Sequence, residues 1–446
     1  MNAVRFVALV AVGFMAASLC AGEPSAAERG KTALETRTFN PAPWPLSAYG
    51  EVWKHWQPPL KQKPANYDEA FRDYYGLHPA PYANKDLPMG LRHGSRLFTT
   101  GIANDCMICH GGSILGKSYV GLGNASLDIH SLFEDFNKVS GLGKLPFVFS
   151  NARGTSEAGG MAVYLLALRE PDLSLRLTPL ELGLKDDLCE DTPAWWLLKK
   201  KKSMYHIGSS DARSVRSIMQ FMMTPLNGRT TFEKEEKTFN DIQAFLLSME
   251  APKYPFPIDR GLADKGKVLF EKSCVKCHGT YGSEWTYPNR IVPLNEIGTD
   301  PARFLGISRK AGEHYNRSWF AKEKGEEGYL ARETNGYQAP PLDGVWATAP
   351  YFHNGSAPTL EDVLNSKARP KIYTRSFRTG EEDFDQTKVG WKVRVLDKTP
   401  PASEPGVLRR RVYDTTQPGR GNGGHTYGDA LTPDERRAVV EYLKSL

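Results

Sequence analysis

Methionine is absent from the chain after Met249: all ten methionines of the 446 residues lie at or before that position. The C-terminal stretch therefore holds no thioether side chain that could serve as a ligand. Cysteine is scarce as well, with six in all. Cys20 falls in an apolar N-terminal run and four others fall in two copies of one short motif. Cys189 is then left alone, which excludes a disulfide framework. Its acidic surroundings, Asp186-Asp187-Leu188-Cys189-Glu190-Asp191, keep the thiol protonated and favour a structural role. Beyond the N-terminus no apolar run is long enough to span a membrane. Charge of one sign is also missing. Lys and Arg number 57 against 51 Asp and Glu, the surplus is spread along the chain, and nothing points to nucleic acid. The one basic run, Lys199 to Lys202, is expected to be a solvated face.

What is present is the pentapeptide Cys-x-x-Cys-His, twice: Cys106-Met107-Ile108-Cys109-His110 and Cys274-Val275-Lys276-Cys277-His278. In an exported chain this spacing marks a c-type haem attachment site. The two thiols add to the haem vinyl groups, and the adjacent imidazole lies under the iron as its proximal ligand. A zinc ribbon would place its Cys pairs about 15–20 residues apart, whereas these are more than a hundred apart. The expectation is two covalently bound haem c groups, with His110 and His278 on the irons.

The N-terminus fits export. Arg5 precedes an apolar run from Phe6 to Leu19, and small residues follow, so residues 1–21 are expected to be a signal peptide. That predicts a periplasmic protein with no membrane span. Bulky Leu19 ahead of Cys20 argues against a lipoprotein anchor.

The pattern predicts a mainly α fold of two tandem cytochrome c-like haem domains with long loops. Gly94-x-x-Leu97-Phe98 before the first motif mirrors Gly266-x-x-Leu269-Phe270 before the second. Each half closes on a helix, Asp241–Met249 matching Ala438–Leu446 in apolar spacing. Thr432-Pro433-Asp434-Glu435 starts the last helix as a capping box. Residues 86–250 and 259–446 are the expected haem domains, and the Pro-rich stretch 251–258 is the linker. Residues 28–85, rich in aromatics, are expected to wrap the first domain without a core of their own.

The second axial position sets a haem's chemistry. The second domain has no Met, so His425, His353 and His314 are its candidates. His425, in a Gly-rich loop before the closing helix, is preferred, and His353 is suited to a haem propionate. For the first haem the residues leave Met161, Met204, Met219, Met222, Met223, His130, His206 or no strong ligand open. The spacing of Met219, Met222 and Met223 favours core packing. Glu134, Asp135 and His206 are candidate proton-transfer groups. The pair Trp195-Trp196 packs at a haem edge or relays electrons.

Pro341-Leu342-Asp343-Gly344-Val345-Trp346-Ala347-Thr348-Ala349-Pro350-Tyr351-Phe352-His353-Asn354-Gly355-Ser356, followed by Thr359-Leu360, resembles the loop over the C-terminal haem in di-haem cytochromes of the bacterial cytochrome c peroxidase superfamily. That family uses a Met downstream of this loop, and here there is none. The Gly-rich loop ending at His425 is more similar to the rubber oxygenase branch, where a late His completes a bis-His site. The resemblance implies a reactive haem at His110 and an electron-relaying haem at His278. It also implies a small-molecule oxidant, peroxide or dioxygen, and a small redox protein or quinol-linked electron donor or acceptor. The competing expectation is a non-catalytic electron carrier or a haem subunit of a larger complex.

Overall fold

The computed structural model describes residues 23–325 and 328–446, so the expected signal peptide and Cys20 lie outside the described residues. Local signals explain the starts of two helices. Thr432 caps the Pro433–Leu443 helix, its hydroxyl accepting from Glu435 N while Glu435 accepts from Thr432 N. Asp259 caps the Arg260–Ser273 helix through Leu262 N. Among the described residues no helix is long and apolar enough to cross a membrane.

Two helix crossings frame the chain. Ala26–Thr36 packs on Arg229–Ser248, and Arg260–Ser273 packs on Pro433–Leu443. The two contacts are equivalent. A Cβ on Gly30 would lie 2.0 Å from the Asp241 carbonyl oxygen, and one on Gly266 would lie 1.9 Å from that of Ala438. Only a residue without a side chain lets the backbones approach so closely. Asp241 and Ala438 are the residues at which the sequence repeat aligns the two closing helices.

The partner of Gly266 is therefore Gly30, not Gly94. Gly30-Lys31-Thr32-Ala33-Leu34-Glu35 is the counterpart of Gly266-Lys267-Val268-Leu269-Phe270-Glu271. Gly94–Phe98, read as the mirror of Gly266–Phe270, instead forms the end of a hairpin. Strands Leu91–Arg96 and Thr99–Asn104 pair antiparallel, with Leu97 and Phe98 exposed at the turn. The Thr, Gly and polar residues flanking that pentad favour turn and strand over helix. Residues 28–85 are correspondingly more than a wrapping. They hold the first crossing helix, and Trp44, Val52, Trp56, Phe71 and Tyr75 form a core with Leu132 and Phe136.

The fold is mixed, not mainly α: helix accounts for 36% and strand for 13%. The strands are short antiparallel ladders that give loop N–H and C=O groups partners where helix is broken. The expected halves also share cores. Tyr315, Trp319 and Phe320 pack with Met219, Phe232 and Phe239. Trp196, Ile114 and Leu122 pack with Trp346, Phe270 and Tyr442.

Gly266→Ala should force the second crossing apart at a cost of about 1–3 kcal/mol or more. Urea unfolding of the variant against the parent measures it, and an unchanged midpoint would show that the helices do not meet there.

Candidate functional site

The first motif is tied to the first crossing by one buried ion pair. Arg92 donates through Nε to Asp105 Oδ2 at 2.9 Å, and also to the carbonyls of Leu34 and Glu35 at the end of the Ala26–Thr36 helix. Asp105 in turn accepts from Met107 N at 2.9 Å, starting the Met107–His110 helical turn. The His110 ring stacks on Trp195 at 4.7 Å. Cys106, Cys109 and His110 keep accessible surface. Yet burial pushes the Cys109 thiol up to about 12 and the His110 imidazole down to about 4.

The second motif follows without a break from the Arg260–Ser273 helix. His278 donates from Nδ1 to the Pro340 carbonyl at 2.8 Å, leaving Nε2 free as a lone-pair donor. It lines a cavity of about 300 Å³ together with Cys274, Cys277, His353 and His425, a size typical of small-molecule sites. The His278 and His425 ring centres lie 6.3 Å apart. A metal–imidazole bond of about 2.0–2.1 Å and about 1.1 Å from nitrogen to ring centre, on each side, gives about 6.2–6.4 Å. His425 Nδ1 and His353 Nε2 are buried without hydrogen-bond partners. Thiols, facing imidazoles and unpaired ring nitrogens fit a covalent haem. A zinc cluster does not fit: burial keeps Cys274 protonated, raising it to about 11, and among the described residues no group of three or more His, Cys, Asp or Glu could hold a metal ion.

The loop bearing His425 is pinned, not flexible. Gly424 and His425 both have positive φ, +71° and +47°. A Cβ on Gly424 would lie 2.3 Å from the Ile297 carbonyl oxygen, and His425 N donates to that same oxygen at 2.8 Å. Arg369 uses all five guanidinium donors on backbone carbonyls. Nε reaches Asp362, Nη1 reaches Asn422 and Gly424, and Nη2 reaches Val363 and His425. Asn354 donates to the Gly419 and Gly421 carbonyls at 3.0 Å each, joining the loop of His353 to that of His425. Sequence reasoning missed Arg369, which has no local motif.

The other expected residues disperse. His353 stacks on Tyr337 at 4.0 Å and lies 6.2 Å from His206. His206 donates to the Asp191 carbonyl and lines the cavity of His278, so it does not serve the first motif. His314 is buried on the Arg169 carbonyl, outside the cavity lining. His130 accepts from Phe149 N. Met204, Met219, Met222 and Met223 are core residues, and Met161 packs at the edge of the N-terminal aromatic core. Glu134 accepts from Leu145 N, and Asp135 accepts from Tyr75 and Lys138. Cys189 is buried beside Thr155 and Tyr413, its thiol pushed up to about 12 by burial. Trp196 donates to the Asp343 carbonyl at 2.8 Å beside the second cavity, while Trp195 faces the first motif.

Comparison with known proteins agrees with this chemistry. The RoxA-like, cytochrome c-like family matches residues 336–374, from the Gly336–Gln338 strand through His353 and Arg369. An uncharacterized protein, y4iJ, of Sinorhizobium fredii is 30% identical over 249 residues, covering 42% of this chain and 39% of that protein. Cytochrome-c peroxidase IdrP2 of Denitromonas iodatirespirans is 30% identical over 131 residues, 24% of this chain and 35% of that protein. The chain thus matches well under half the length of these relatives. A solved MauG-like protein associated with microbial copper homeostasis aligns at 15% identity with a TM-score of 0.30, over 65% of this chain and 88% of that one. The chain is similar to cytochrome c peroxidase-like proteins, and its cytochrome c-like segment implies haem c.

Arg369→Met should leave the Asn422, Gly424 and His425 carbonyls without their guanidinium donors and cost at least about 2–3 kcal/mol. Hydrogen exchange of the amides from Gly421 to Tyr427 should rise while the helix crossings stay protected; unchanged exchange there would remove Arg369 from its holding role.

Proposed function

We propose that this chain is an exported, periplasmic di-haem c-type cytochrome with peroxidase- or oxygenase-like oxidoreductase activity. The observation that carries the reading is the facing of His278 and His425 across a cavity that also holds Cys274 and Cys277. Cys106, Cys109 and His110 would hold the other haem. When bound, haem supplies one-electron chemistry and, at an open axial position, a site for peroxide or dioxygen.

The chain's own residues divide the roles. His278 donates to Pro340, which orients its ring and raises the basicity of Nε2. His425 would supply the facing imidazole, and two imidazoles in place of Met would give a lower potential. That suits the second site to relaying electrons. At the first site, His130 and His206 are hydrogen-bonded elsewhere, which supports a position without a strong second ligand; Met219, Met222 and Met223 are buried in the core that also packs Cys106 and Trp195. Trp195 stacks on His110, and Trp196 anchors to Asp343 at the second cavity, so the pair spans the two sites. Of the catalytic candidates, the proposal keeps Trp195 and Trp196, and His206 lines the second cavity. A small redox protein or quinol-linked donor is the proposed electron partner.

The intact mass of the exported protein should include two haems. The oxidised protein should show one low-spin iron and one high-spin iron that responds to cyanide or peroxide in its EPR spectrum. His425→Ala should turn the low-spin signal high-spin. Two low-spin irons indifferent to added ligand, in oxidised and half-reduced protein alike, would favour an electron carrier without its own chemistry.

A further inference from the structure

The basic run Lys199–Lys202 is not the solvated face its composition suggests. Lys199 pairs with Glu250 at the surface and Lys202 is exposed, but Lys200 and Lys201 are each only 9% exposed. The tight 3₁₀ turn Trp195–Lys199, which ends just before them, aims these two inward. Lys200 is neutralised: its ammonium lies 2.8 Å from Asp343 and over the rings of Tyr281 and Trp285. Lys201 lines the second cavity, and its ammonium makes no hydrogen bond, ion pair or ring contact.

The other charges around that cavity leave Lys201 no partner. Arg290 holds Glu296 at 2.7 Å, and Asp343 is taken by Lys200. Arg303 holds Glu190 nearby at 2.9 Å. Burial drives the Asp191 carboxyl far toward its neutral form. Burial pulls the Lys201 amine down only to about 8, so at neutral pH it is still largely an ammonium. A buried cation without a counter-charge is costly, and one on a cavity wall is offset by an anion in the cavity.

We propose that Lys201 binds a carboxylate in this cavity, and that the carboxylate is a propionate of the haem attached at Cys274 and Cys277. The assignment rests on the second haem of the reading above. Lys201 makes the nearby cavity positive, which favours the ferrous form of that haem over the ferric.

The test is spectroscopic redox titration of the low-spin haem in the purified holoprotein, parent against Lys201→Met and Lys201→Arg. Lys201→Met removes an unpaired buried charge, so the fold is not placed at risk. Its ferric–ferrous equilibrium should move about tenfold toward ferric, about 59 mV for a one-electron couple, and Lys201→Arg should restore most of the shift. An unchanged midpoint in Lys201→Met, with both haems present by mass, would overturn the proposal. A shift that appears only when succinate is added would assign Lys201 to a free carboxylate and overturn the propionate assignment. Parent protein whose mass lacks the second haem would sink this proposal and the di-haem reading together, an outcome the titration alone does not produce.

Discussion

The 6.3 Å between the rings of His278 and His425 is the distance around which the second half is built. The two imidazoles come from positions far apart in the chain and do not touch. Burial lowers the basicity of both, and His278 further disfavours a proton on His425. Two neutral rings in a desolvated space do not attract each other enough to hold that spacing, so the surrounding backbone must hold it. The Pro340 carbonyl orients one ring. The other is set by a left-handed Gly-His pair wedged against Ile297 and by the guanidinium of Arg369 on five carbonyls. Strain at a non-glycine residue of positive φ persists where neighbours over-determine it, and His425 has such neighbours on both sides.

Each motif must also be held to the helical frame, and the two halves do this differently. In the second, the Arg260–Ser273 helix runs into Cys274, so the glycine crossing at Ala438 positions the thiols through chain continuity. In the first, most of the hairpin and the aromatic core lie between the crossing helix and Cys106. Arg92 replaces continuity: one guanidinium joins the last carbonyls of the Ala26–Thr36 helix to Asp105, which starts the motif turn. A buried pair with every partner satisfied gives little net stability, but here it fixes a geometry.

What the sequence made legible is local. The two pentapeptides, the capping box at Thr432 and the apolar spacing of the closing helices need only neighbours in the chain. The aromatic-rich motif around His353 gave a resemblance, and comparison places the cytochrome c-like match in that stretch. The illegible parts are long-range. Gly94 and Gly30 both offered a glycine before apolar residues, and only the approach of Asp241 tells them apart. The aromatics of residues 28–85 looked like a wrapping because their partners, Leu132 and Phe136, lie in a distant helix. Arg369 carries no signal at all, since carbonyls scattered from Asp362 to His425 define its role. Lys201 was hidden within a run whose charge suggested solvent.

The segment from Asp191 to His206 is where these strands of the structure meet. Asp191 N donates to the His353 carbonyl, and His206 returns a hydrogen bond to the Asp191 carbonyl, closing this segment against the second cavity. Between them Trp195 turns to His110, Trp196 turns to Asp343, and Ala194, Leu197 and Lys201 line the cavity of His278. One short stretch thus supplies walls to both motifs. Packed cores move in discrete steps and do not deform continuously, so a shift of the Trp196 side cannot leave the Trp195 side where it was. The two motifs are therefore joined through a few peptide units of one packed segment.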